Sequence, residues 1–112
     1  MPRATTTSDV FNAIAEPRRR QIIEVLAQRG PQPVGTLVRR LGLPQPTVSK
    51  HLGVLRKVGV VEVRKHGKQR VYNLEAAQLK CVHDWVGAFA SLWDHQLDRI
   101  KERAERRSRE QN

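Results

Sequence analysis

The sequence predicts a mainly α-helical domain with one small β-hairpin, an α+β arrangement of four helices, a two-stranded hairpin and a long closing helix. Three observations carry that expectation. Apolar residues recur at helical spacing through residue 58, the spacing changes to branched, strand-like runs between residues 60 and 74, and helical spacing then resumes to about residue 105. The 112 residues amount to one domain with a modest core, and with 4% aromatic residues that core is built mainly of Leu, Val, Ile and Ala.

Residues 1–8, with Thr5-Thr6-Thr7, are expected to be a disordered start. The domain is expected over 9–105, with 106–112 as a charged, frayed tail. Ser8 or Asp9 suits the cap of a first short helix that carries Val10, Phe11, Ile14 and Ala15 on one side. Pro17 starts a second helix, with Ile22, Ile23, Val25, Leu26 and Ala27 as its apolar side. Arg18-Arg19-Arg20 puts positive charge at the unfavourable end of that helix. The run reads either as phosphate contacts or as a solvated turn with local partners such as Glu16 or Glu24.

Gly30-Pro31-Gln32-Pro33 breaks the chain, and Val34, Leu37, Val38 and Leu41 give a third stripe ending at Gly42. After Gly42-Leu43-Pro44, the apolar residues Val48, Leu52, Leu55 and Val58 fall at steps of four, three and three. Pro46 suits a first helical turn, and Gly59 suits a left-handed cap. Gln45, Thr47, Ser49, Lys50, His51 and Arg56 are left off the apolar stripe. Two short helices joined by a tight turn, the second with a small, polar and basic outer face, have the form of a helix-turn-helix.

Val60-Val61-Glu62-Val63-Arg64 and Arg70-Val71-Tyr72-Asn73-Leu74 are the strand-like runs, joined by Lys65-His66-Gly67-Lys68-Gln69 with His-Gly as the turn. A hairpin in this place makes a wing, with Arg64, Lys65, Lys68 and Arg70 near its tip. From residue 75 the chain reads as one helix in which Val82, Val86, Phe89, Trp93, Leu97, Ile100 and Ala104 form a stripe close to a heptad seam, widened by Trp85 and Leu92. So small a domain has no room to bury that stripe, which predicts a homodimer whose interface also includes Val10 and Phe11.

Charge points to the partner. The net charge is +10, from 21 basic and 11 acidic residues. Residues 45–70 hold seven basic residues against Glu62 alone. That concentration favours a polyanion, nucleic acid before an anionic membrane, and the helix-turn-helix form makes double-stranded DNA the expected partner. The single Cys81 excludes an intramolecular disulfide and fits a reducing compartment. No apolar run approaches the roughly 20 residues of a membrane span, and the amino terminus has no signal pattern, so the expected location is the cytoplasm. No Gly-rich phosphate loop, His-Glu-x-x-His run or nucleophile motif is present, which argues against an enzyme, and no cofactor is expected.

Glu16-Pro17-Arg18-Arg19-Arg20-Gln21-Ile22-Ile23-Glu24-Val25-Leu26, Gln45-Pro46-Thr47-Val48-Ser49-Lys50-His51-Leu52 and the wing ending Arg70-Val71-Tyr72-Asn73-Leu74 resemble the ArsR/SmtB family of bacterial winged-helix regulators over roughly residues 9–100. The resemblance implies a homodimer that binds a palindromic operator and usually represses transcription. It places DNA contact on Gln45, Thr47, Ser49, Lys50, His51 and the wing tip. Lys50, Arg56, Arg64, Lys65, Lys68 and Arg70 are expected to neutralise phosphates, and Gln45, Thr47, Ser49 and His51 to read base edges.

The chain departs from the metal-sensing members. Where the arsenic-type site has a Cys-x-Cys pair, this chain has Thr36-Leu37-Val38-Arg39-Arg40. The zinc-type site on the last helix, Asp-x-His followed by His-x-x-Glu, is met by Cys81-x-His83 and His95-x-x-Asp98 with one residue more between them. On one continuous helix, twelve residues at 100° leave His83 and His95 about 120° apart. Metal binding by Cys81, His83, His95 and Asp98 is therefore the weaker reading, although the donor chemistry suits zinc. The segment from Trp93 to Lys101 resembles a branch of the family without recognised metal ligands. The alternatives are an architectural DNA-binding protein with little sequence preference and a zinc-responsive repressor. The effector is unknown.

Overall fold

The helical spacing of the first half becomes four helices in the computed structural model, which describes residues 7–110: α1 (Thr7–Ile14), α2 (Pro17–Arg29), α3 (Val34–Leu41) and α4 (Gln45–Lys57). Residues 1–6 and 111–112, parts of the expected loose ends, lie outside the described residues. Two compact units divide the chain, the first up to Lys80 and the second from Cys81.

Helix ends in the first unit follow from local chemistry. Glu16 caps α2, its Oε2 accepting from the Arg19 backbone N–H at 3.1 Å, with Pro17 in the first turn. Gly42 ends α3 in the left-handed conformation, and its N–H donates to the Val38 carbonyl at 2.9 Å. The end of α4 is a Schellman turn: Gly59, at φ 79°, donates to Arg56 O at 3.0 Å, and Val60 donates to Leu55 O at 3.0 Å. Leu55 and Val60 are both fully buried, which is the apolar contact that accompanies this cap. The turn aims the chain from α4 directly into the first strand of the wing.

Burial follows the stripes in part, since Ala15 and Ala27, expected on the apolar sides of α1 and α2, are exposed. Val48, Leu52, Leu55 and Val58 are buried, as are Ile22 and Leu26 of α2, Leu37 of α3 and Val10 and Ala13 of α1. Val60, Val61 and Tyr72 complete the core. Val10, expected at the dimer interface, is 3% exposed within its own protomer and belongs to its core. Phe11 is half-buried.

The sheet has one strand more than the sequence showed. β2 (Val61–His66) and β3 (Gln69–Leu74) form the antiparallel hairpin, and β1 (Gln32–Pro33) pairs antiparallel with the other edge of β3. Two residues, one of them proline, carry no periodicity to read, and proline is tolerated because β1 is an edge strand. His66 pairs with Gln69, so the two-residue loop is Gly67-Lys68, one position later than His-Gly. Gly67 supplies the positive φ, 65°, that such a loop requires at its first residue.

The second unit holds most of α5 (Lys80–Gly87) and all of α6 (Ala90–Glu110), after a short 3₁₀ turn at Ala76–Leu79. The single helix expected from residue 75 is thus divided at Gly87-Ala88-Phe89. Phe89 donates to Val86 O at 3.0 Å, a tightened turn, before Trp93 N–H returns to Phe89 O at 2.9 Å. Gly87, a poor helix former, sits at the break. α6 continues to Glu110, beyond the position where fraying was expected. Trp85 and Phe89 meet edge to face, with centroids 5.3 Å apart.

Candidate nucleic-acid interface

At 100° per residue, the buried stripe of α4 sets the direction of every other side chain on that helix. Lys50 and Lys57 stand opposite the stripe, Gln45, Ser49 and Arg56 lie on one flank, and Thr47, His51 and Val54 lie on the other. Gln45, Ser49, Lys50, Arg56 and Lys57 are exposed, and Thr47 is half-buried. The sequence reading missed Lys57, although seven residues, about two turns, separate it from Lys50 and place both on one edge. Gly53 is exposed on the outer face as well, with open space where a Cβ would stand.

His51 differs from its neighbours. Its side chain is only 18% exposed, and Nε2 stands 3.9 Å from Glu16 Oε2, the same oxygen that caps α2. The imidazole is part-buried between α4 and the start of α2, where the outer-face reading of His51 did not place it.

The basic run Arg18-Arg19-Arg20 is also tied into the structure. Arg19 Nε donates to Ala13 O at 2.6 Å, and Arg20 Nη1 donates to Ile14 O and Ala15 O at 2.9 Å each. Two guanidinium groups thus satisfy carbonyls at the carboxyl end of α1, where positive charge is favourable. Arg18 reaches Gln21 Oε1 at 3.0 Å. The charge that opposes one helix end serves the helix before it.

Strand alternation sorts the wing cations, which the sequence had grouped together. Val61, Val63 and Lys65 share one face with their register partners Leu74, Tyr72 and Arg70. Arg64 lies on the other face with Glu62, 3.5 Å from its Oε2. Glu75 joins that group: a hydrogen bond and charge repulsion from Glu62 raise its pKa above the ordinary 4.5, with Arg64 opposing the shift. Lys65, Lys68 and Arg70 are all exposed.

The comparisons with known proteins agree with this geometry. Residues 14–64 match a helix-turn-helix domain family. An HTH-type transcriptional regulator of Methanocaldococcus jannaschii is 34% identical over 80 residues, 71% of this chain and 90% of that protein. The biofilm growth-associated repressor of Xylella fastidiosa is 39% identical over 80 residues, 69% of each chain. The solution structure of the homodimeric winged helix-turn-helix DNA-binding domain of a possible ArsR-family regulator from Mycobacterium bovis superposes with a TM-score of 0.62, at 30% identity over 75% of this chain and 77% of that one. The chain belongs to the ArsR/SmtB family of winged helix-turn-helix transcriptional regulators.

These relatives are regulators of transcription and not enzymes, and this ArsR-family chain is a regulator of that type. Its metal-type residues are split by the helix break, with Cys81 and His83 on α5 and His95 and Asp98 on α6. The angular argument from one continuous helix therefore does not apply to them. Among the described residues no three His, Cys, Asp or Glu side chains come together as a metal site, and His83 Nδ1 lies 3.2 Å from Asp84 Oδ1. No described helix is long and apolar enough to cross a membrane.

Proposed function

We propose that the protein is a homodimeric repressor that binds a palindromic operator in double-stranded DNA, with α4 in the major groove and the wing along the backbone. The observation that carries this reading is the outer face of α4, where Lys50 and Lys57 flank an open Gly53 and no carboxylate appears on the helix. Lys50, Lys57, Arg56 and the wing cations Lys65, Lys68 and Arg70 neutralise phosphates, while Gln45, Thr47 and Ser49 meet base edges, and Arg64, on the other face of the wing beside Glu62, is left out of this set. His51, part-buried beside Glu16, is left out of base reading.

Dimerisation is supported by the second unit. Trp85, Leu92, Trp93, Leu97 and Ile100 are at least half exposed, a run of apolar surface that a protomer does not leave in water without a partner. With Val82, Val86 and Phe89 they form the twofold contact of a dimer that carries two copies of α4. The homodimeric Mycobacterium relative and the Xylella repressor support the same assembly and the same sign of regulation. A reader of intracellular DNA belongs in the cytoplasm, at the nucleoid.

Binding-site selection with random duplexes tests the proposal. The expected product is a palindromic motif, and Gln45→Ala relaxes preference at one position in each half-site. Recovery of no motif would leave an architectural DNA-binding protein instead.

A further inference from the structure

A cleft of about 420 Å³ opens where the first turn of α3 meets the wing close to its tip, between Gly35, Thr36 and Arg39 on one side and Lys68 and Arg70 on the other. Chain topology makes it. Pro33 of β1 pairs with Val71 of β3, and α3 begins at the next residue, so the first turn of α3 is held beside Arg70.

The electrostatics of this cleft are one-sided. Arg39 folds back along α3, its Nη2 3.3 Å from Thr36 Oγ1 and its Nη1 3.6 Å from where a Cβ on Gly35 would stand. A cation over the amino-terminal turn of a helix is disfavoured by the macrodipole. Pro33 gives that end no side-chain cap, and the first turn has no acidic residue. Lys68 and Arg70 add two more cations, and no carboxylate lines the cleft. Three like charges converge on a concave surface beside the positive end of a helix, an arrangement that an anion stabilises.

We propose that the cleft seats one phosphodiester of duplex DNA, with Arg39 as a phosphate ligand alongside Lys68 and Arg70. The proposal rests on the DNA-binding reading and extends it from α4 and the wing to the amino end of α3. The occupant is the DNA backbone because the cleft is open and continuous with the wing face that carries Lys65 opposite Arg70. A polyanion also gains from counterion release when several exposed cations meet it.

Two variants test this on a random-sequence duplex, by fluorescence anisotropy across a salt series. Arg39→Gln removes the ligand. Gly35→Asp places a carboxylate beside Arg39 at a helix end that favours it, so that variant keeps or gains thermal stability. Both are expected to weaken DNA binding by about three- to tenfold, and Arg39→Gln to reduce the slope of log K against log salt by about 0.9. The motif from site selection stays unchanged, because a phosphate carries no base identity. The proposal is overturned if both variants keep wild-type affinity and slope while Lys50→Gln lowers them, a result that leaves the operator reading standing. It is equally overturned if inorganic phosphate alone shifts the Gly35 and Thr36 amide resonances while Arg39→Gln binds DNA normally, which assigns the cleft to a free anion. If Lys50→Gln also has no effect, both readings fall together.

Discussion

Lys65 and Arg70 are register partners in the β2–β3 ladder, two cations standing directly opposite each other on one face of the wing. Like charges in that position weaken a hairpin by about a few tenths of a kcal/mol, less where solvent screens them. A partner that supplies negative charge turns the cost into binding energy. Lys65→Gln is therefore expected to leave thermal stability unchanged or slightly raised while reducing DNA affinity and the salt slope. An unchanged slope would remove Lys65 from the interface.

Gly53 offers a second separation of stability from function. It lies in the interior of α4, where glycine costs about 1 kcal/mol relative to alanine, and its Cβ position is open. Gly53→Ala should raise the unfolding free energy by about 0.5–1 kcal/mol in urea titration. It should also weaken operator binding, because the added methyl stands on the face of closest approach. Tighter binding by this variant would place the DNA elsewhere on the helix.

Arg19 tests the opposite assignment. Its side chain is engaged with the Ala13 carbonyl, in a part-buried hydrogen bond. Arg19→Met should lower stability by about 1 kcal/mol and leave the salt slope of DNA binding as it was. A flattened slope at full stability would restore the phosphate-contact reading of this arginine run.

Glu75 gives a pH dependence whose sign follows from its raised pKa. The folded chain holds this proton more firmly than the unfolded chain, so the contribution is present below the ordinary 4.5 and lost as pH rises through the higher folded value. Glu75→Gln removes the repulsion from Glu62. The variant should gain thermal stability over the wild type at about pH 7 and lose that advantage at about pH 4. An equal difference at both pH values would mean that Glu62 and Glu75 do not interact.

The helices of the first unit were legible because each buries a stripe with its own period, and periodicity survives in one dimension. Val48, Leu52, Leu55 and Val58 announced α4, and all four are buried. Strand β1 was not legible, since two residues have no period and the pairing that makes them a strand comes from β3, far along the chain. The break after Gly87 was hidden for a related reason: the apolar stripe runs on through it without a change of spacing.

The sequence by itself determined the helix-turn-helix, the wing, the basic character of both and the apolar run on α5 and α6, because composition and spacing are local properties. Tertiary structure decided which polar side chains are available. His51 and Arg19 sit in the same sequence runs as outward-facing neighbours, yet Glu16 and the end of α1 engage them. Arg39 had no motif to mark it, and it became part of a basic cleft only because β1 carries the first turn of α3 to the side of the wing, close to its tip. Partners that lie apart in the chain meet only through packing.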